Sequence, residues 1–187
     1  MSEAMRVIKA RRSVRAFLPG QIKDEELKAI LEAGVHAPSG QNTQPWFFTV
    51  LQNQGLIDKV NDWIIDEAKY VPHPKAREIA ATPNAAIFRK APTVIIVSGL
   101  KSDSLVVEDC SCAAQNMMLA AEAVGLGSCW ICYVGYLANR ESLETTYRAE
   151  LKIPVGYVPF FGLTIGYKSG SGEVLHPRRK GVFSVLR

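Results

Sequence analysis

No stretch of about 18 to 20 apolar residues, the length needed to span a bilayer, occurs in this 187-residue chain. The longest uncharged stretch, 123–139, is interrupted by Gly125, Gly127 and Gly135, so no membrane partner is expected. The first ten residues lack the apolar centre of a secretory leader, and a cytoplasmic location is expected. In a reducing compartment the 4 cysteines are expected to stay thiols. Neither sign of charge dominates: 22 Lys and Arg against 18 Asp and Glu leave +4, too mild for a dedicated nucleic-acid binder. Histidine is scarce, and His36, His73 and His176 show no ligand spacing. Ser39 lacks the Gly-x-Ser-x-Gly setting of a hydrolase nucleophile, and Gly125-Leu126-Gly127 does not complete a dinucleotide fingerprint. Internal repeats and low-complexity tracts are absent.

What is present is ordinary globular composition, 48% apolar, in a length that fits one domain spanning residues 1–187. Ser2 is positioned to cap a first helix whose Ala4, Met5 and Ile8 face inward. Asp24 opens a second, in which Leu27, Ile30, Leu31, Gly34 and Val35 follow helical spacing until Pro38, Ser39 and Gly40 stop it. Residues 46–51 are apolar on both faces and read as a central strand; 93–97, 128–134 and 157–167 read as further strands. Residues 56–68 and 139–151 read as helices, whereas 70–91, broken by prolines, reads as insertion-tolerant. Residues 106–124 leave hardly any polar face, which predicts a helix buried on most sides, most cheaply against a second copy of the chain.

Four groups carry chemistry. Arg11, Arg12, Ser13 and Arg15 gather three guanidinium groups and a hydroxyl, a donor set suited to a phosphate and otherwise a solvated charge cluster. Arg178, Arg179 and Lys180 form a second basic cluster that could clasp the same anion. The loop 37–46 combines turn-freed amides with Asn42 and Gln44, whose side chains both donate and accept, as the edge of a heteroaromatic ring requires. Cys110, Cys112, Cys129 and Cys132 have a superficial zinc spacing. However, Cys110 and Cys112 diverge on a helix, and Cys129 and Cys132 diverge on a strand, so no metal is expected.

In order and spacing, Arg11-Arg12-Ser13-Val14-Arg15, Ala37-Pro38-Ser39-Gly40-Gln41-Asn42-Thr43-Gln44-Pro45-Trp46, Gln115-Asn116-Met117, Gly125-Leu126-Gly127-Ser128-Cys129-Trp130 and the basic C-terminus together resemble the FMN-dependent nitroreductase family. The resemblance implies an α+β fold, a central and mostly antiparallel sheet wrapped by helices, in an intertwined homodimer with FMN tightly bound at the subunit boundary. It implies that Arg11 and Ser13 hold the FMN phosphate with Arg12 assisting, and that Arg15 approaches the flavin pyrimidine edge. Pro38, Ser39, Gly40 and Asn42 would line the flavin from the partner chain, with Gln44 supporting their loop. Trp130, Ile131 and Cys132 would pass beside the isoalloxazine, and Arg178 and Arg179 would close over the phosphate. His36 precedes the loop, within reach of the cofactor or as a helix C-terminal residue; the second is expected. No catalytic side chain is implied, because flavin N5 carries hydride from NADH or NADPH to a nitroaromatic, quinone or related small-molecule acceptor. Reductive dehalogenation or consumption of the flavin would use the same fold and contacts. A nucleic-acid-binding module is the rival from a different class.

Overall fold

The computed structural model describes residues 1–139, 141–170 and 177–187; His176 lies outside them. Helix α1, Glu3–Ala10, is capped by the Ser2 hydroxyl, which accepts from the Met5 amide. Helix α2, Asp24–Val35, starts where the Lys23 amide donates to the Glu26 carboxylate at 2.8 Å. Its first turn carries three acidic residues, which the helix dipole favours. Strand β1, Trp46–Leu51, leads to α3, Gln54–Ala68, and α4, Pro74–Ala81. Strand β2, Thr93–Leu100, is followed by α5, Val106–Ala123, strand β3, Gly127–Ile131, a 3-10 segment at Cys132–Asn139, α6, Glu141–Leu151, and strand β4, Tyr157–Gly166. The fold is α+β: the strands form one antiparallel sheet in the order β1-β2-β4-β3.

Side chains alternate across this sheet, so each strand feeds two apolar layers. Val94 and Ile96 of β2, with Cys129 and Ile131 of β3, join α3, α4 and α6 on one face. Ile95 and Val97 face the other way, toward Ile30 of α2 and Ala113, Ala114 and Met117 of α5. All four β2 side chains are fully buried, each stabilising by about 1.5–3 kcal/mol. Gly34 lets α2 and α5 approach, since a Cβ there would stand 2.9 Å from Met117 Cγ.

Several sequence expectations are corrected. β1 is an edge strand, not a central one. Its two apolar faces report the layers above and below the sheet rather than neighbours on both sides. In α1 only Val7 is buried; Ala4, Met5 and Ile8 are exposed on the single chain, because the helix leans on α5 by a narrow edge. The segment 70–91 holds a helix after all, with Pro74 at its first turn and His73 capping the Lys75 amide at 3.1 Å. The same segment contributes Ala76, Ile79, Ile87 and Phe88 to the core, so it is structural packing rather than an insertion. β3 stops at Ile131, because the chain then folds over β4 so closely that a Cβ on Gly135 would meet the Phe160 carbonyl oxygen at 2.8 Å. α5 buries one face, while Cys112 and Gln115 remain exposed. No helix among the described residues is long and apolar enough to cross a membrane.

Candidate cofactor site

The basic run begins at the C-cap of α1, Arg11, and is laced into the sheet edge. Ser13 bridges to Ser128 of β3, and the Val14 amide donates to the Ser128 carbonyl at 2.9 Å. Farther on, Phe17 bridges to Lys168 and the Leu18 amide donates to the Tyr167 carbonyl at 2.9 Å. Val14 is buried against Gly127, so alternation turns Ser13 and Arg15 away from the core. Arg11 and Arg15 thereby stand close enough to β3 for their charges to act on it. Burial pushes the Cys129 thiol up, opposed by the positive charges of Arg15, Arg89 and Arg11.

The donors differ in how far they are already engaged. Arg12 Nη1 donates to the carbonyls of Lys9, Ala10 and Arg11, at 2.7, 3.3 and 2.8 Å, and so closes the C-terminus of α1. That nitrogen is committed to the helix end, which leaves Nη2 and Nε as the Arg12 donors without a hydrogen bond among the described residues. Arg15 Nη1 makes a single 3.3 Å bond to the Ser13 carbonyl. Among the described residues no carboxylate pairs with Arg11, Arg12 or Arg15. Free guanidinium groups beside the Ser13 hydroxyl fit a phosphate, which offers several acceptor oxygens.

The loop after α2 is the second group. His36 caps that helix, with Nδ1 2.8 Å from the Glu32 carbonyl oxygen, in keeping with the helix-terminal role expected for it. Gln41, Asn42 and Gln44 take left-handed φ values of 51°, 58° and 47°, a costly run for residues with a Cβ. Within it the Ser39 hydroxyl accepts from the Gln44 amide, and Gln44 Nε2 donates to Asn42 Oδ1, both at 3.0 Å. Gln44 thus supports the loop, while Pro38, Asn42 and Gln44 are exposed and Ser39 and Gly40 half-buried. Gly40 is pinned from outside: its amide donates to both carboxylate oxygens of Asp109, at 3.2 and 3.1 Å.

Trp130, Ile131 and Cys132 close β3 beside the basic run. The Trp130 ring packs on Phe161 at 4.0 Å between centroids, and Ile131 is buried, so its backbone is what it can offer a ligand. Cys132 is exposed whereas Cys129 is buried, and Cys112 is exposed whereas Cys110 is buried, so both cysteine pairs diverge. Among the described residues no group of three His, Cys, Asp or Glu side chains could hold a metal.

Arg178 and Arg179 lie on the tail 177–187, every residue of which is exposed, and form no hydrogen bond or ion pair among the described residues. The single chain therefore does not bring them into contact with Arg11. It also separates the loop from the basic run, because Gly40 is tied to the first turn of α5 and Ser13 to the strand beyond its last. Fourteen helical residues, 110–123, about 21 Å, lie between Asp109 and the end of α5. Sequence reasoning missed Arg89, which shares the field at Cys129, and Asp109. The basic pair Arg89-Lys90 stood in the proline-broken segment, and Asp109 looked like ordinary first-turn acid.

The nitroreductase family profile matches residues 8–167. A putative NADH dehydrogenase/NAD(P)H nitroreductase of Archaeoglobus fulgidus is 32% identical over 168 residues, 89% of this chain and 86% of that protein. Among solved structures, a nitroreductase with bound FMN from Bacteroides fragilis NCTC 9343 superposes at a TM-score of 0.93 with 32% identity, covering 100% of both chains. A second nitroreductase with bound FMN, from Desulfitobacterium hafniense DCB-2, gives 0.87 with 25% identity over the same full coverage.

Proposed function

Because the chain belongs to the nitroreductase family, we propose that it is an FMN-dependent oxidoreductase. It takes hydride from NADH or NADPH and delivers it to a nitroaromatic, a quinone or a related small molecule. The observation that carries this reading is the unpaired donor set of Arg11, Ser13 and Arg15, bonded in place along β3. Bound FMN supplies the hydride-accepting and hydride-donating chemistry.

The chain's own residues anchor and orient. Arg11 and Ser13 hold the phosphate, and Arg178 and Arg179 close over it. Arg15 supplies fixed positive charge beside a ring that gains electron density on reduction, which favours electron acceptance. Trp130, Ile131 and Cys132 border the ring. Pro38, Ser39, Gly40 and Asn42 approach from a second copy, with Gln44 bracing their loop.

The spacing along α5 supports a homodimer, since loop and basic run of one chain are anchored toward opposite ends of that helix. Two unpartnered apolar surfaces support it. A groove of about 570 Å³ runs along α2, lined by Leu27, Leu31 and Val35, and the tail exposes Val182, Phe183, Val185 and Leu186. Residues 1–187 act as one domain, and the enzyme works in the cytoplasm without nucleic-acid or membrane partners.

Absorption of the purified protein tests the cofactor assignment, with flavin bands expected at about 370 and 450 nm. Turnover of NADH and NADPH against a nitroaromatic, a quinone and a halogenated phenol then identifies the acceptor. A colourless protein that leaves the fluorescence of added FMN unquenched refutes the proposal.

A further inference from the structure

We propose that Asp109 is a positioning residue that holds the 39–44 loop in its cofactor-facing shape; the inference rests on the flavin assignment above. The loop is strained by three left-handed residues, Gln41, Asn42 and Gln44. Such a conformation persists only where its surroundings over-determine it. Two of its side-chain bonds are internal, Gln44 amide to Ser39 Oγ and Gln44 Nε2 to Asn42 Oδ1, and move with it. Among the described residues, the Gly40 amide donating to Asp109 is the hydrogen bond that ties 39–44 to the rest of the fold.

The tether is built for close approach. A Cβ on Gly40 would stand 2.6 Å from Leu105 Cδ1, so the absent side chain lets the loop backbone lie against the start of α5. Asp109 is buried there, in the first turn of the helix, and no cationic side chain among the described residues pairs with it. A carboxylate removed from water without a counter-charge is costly unless it accepts hydrogen bonds. Its two oxygens share the Gly40 amide, and the helix N-terminus favours its charge. α5 thereby sets where Ser39, Gly40 and Asn42 stand.

Asp109→Leu removes the acceptor while keeping the branching at Cγ, whereas Asp109→Asn keeps one carbonyl oxygen in place. FMN quenching titrations on apo-protein should show the Leu variant weakened by about tenfold or more, and the Asn variant within about threefold of wild type. Deuterium exchange on the same apo-proteins should quicken across 39–44 in the Leu variant alone, with α3 and β2 protection unchanged. Wild-type FMN affinity and wild-type loop exchange in the Leu variant overturn the inference. Equal weakening in both variants with globally raised exchange also overturns it, because that marks Asp109 as a general stability residue. If wild-type protein fails to quench FMN, the flavin assignment falls, and loop exchange alone still decides whether Asp109 is the tether.

Discussion

Gly127→Ala is expected to damage both stability and cofactor affinity through one contact. An added Cβ would stand 2.7, 2.8 and 2.9 Å from Val14 Cγ1, Cβ and Cγ2. Rotating the Val14 side chain relieves only the γ contacts, because the Cβ moves only with its backbone. That backbone is fixed by the Val14 amide bond to Ser128 at 2.9 Å. The collision must therefore push residues 13–15 off β3. Overpacking of this kind costs about 1–3 kcal/mol, and loss of the hydrogen bond adds about 1. The sum, about 2–4 kcal/mol, is a large share of the ~5–15 kcal/mol that a domain of this size possesses. With a urea m-value of about 1–3 kcal/mol/M, the unfolding midpoint of apo-protein should fall by about 1–2 M. FMN affinity should fall with it, since Ser13 and Arg15 flank Val14. Gly125→Ala is the control: φ there is +83° with nothing within 4 Å, so it should cost about 1 kcal/mol by backbone strain alone and leave FMN affinity intact. A Gly127→Ala protein that unfolds at the wild-type midpoint and binds FMN normally would show that the basic run is not held by this contact.

Arg11→Ala should separate the two effects, weakening FMN binding by about 1.5–3 kcal/mol in a fluorescence titration while stability stays within about 0.5 kcal/mol of wild type. With a thiol reagent at neutral pH, Cys112 and Cys132 should react quickly and Cys110 and Cys129 only after unfolding; four fast thiols would contradict the burial. The Cys110 thiol is pushed by burial from its ordinary 9.0 up to about 12, with Asp109 and Asp103 adding to the shift. Its contribution to stability is fully present below pH 9 and is lost as pH rises toward about 12, because the unfolded thiol ionises first. Urea midpoints between pH 8 and pH 11 should therefore decline less steeply in Cys110→Ala than in wild type.

The start and the buried face of α2 were legible, because Leu27, Ile30, Leu31 and Gly34 repeat at helical spacing after an acidic start; its end at Val35 falls short of the Pro-Ser-Gly stop. α4 was not, because Pro74 looked like a breaker when it was a first-turn residue. The edge position of β1 could not be read from its composition, since apolarity reports coverage of faces and not pairing of edges. In the site, local signals found the 11–15 run and the 37–46 loop. The Asp109 tether joins residues 69 apart in sequence, and Arg89 reaches Cys129 only through tertiary folding, so neither leaves a local pattern. The engagement of Arg12 with the end of α1 was likewise invisible, because every basic residue in a run looks equally available.

The length of α5 has a genetic consequence. If each ring is lined by the basic run of one polypeptide and the 39–44 loop of another, a lesion in either segment spoils both sites of a pure mutant assembly. Two alleles, one lesioned at Arg11 and the other in the loop, would then restore one intact site when co-expressed. Its lining would come from the undamaged half of each product. A population carrying both alleles would keep about half the activity per mixed pair, so inactivating lesions in this gene would sort into two classes that rescue one another in trans.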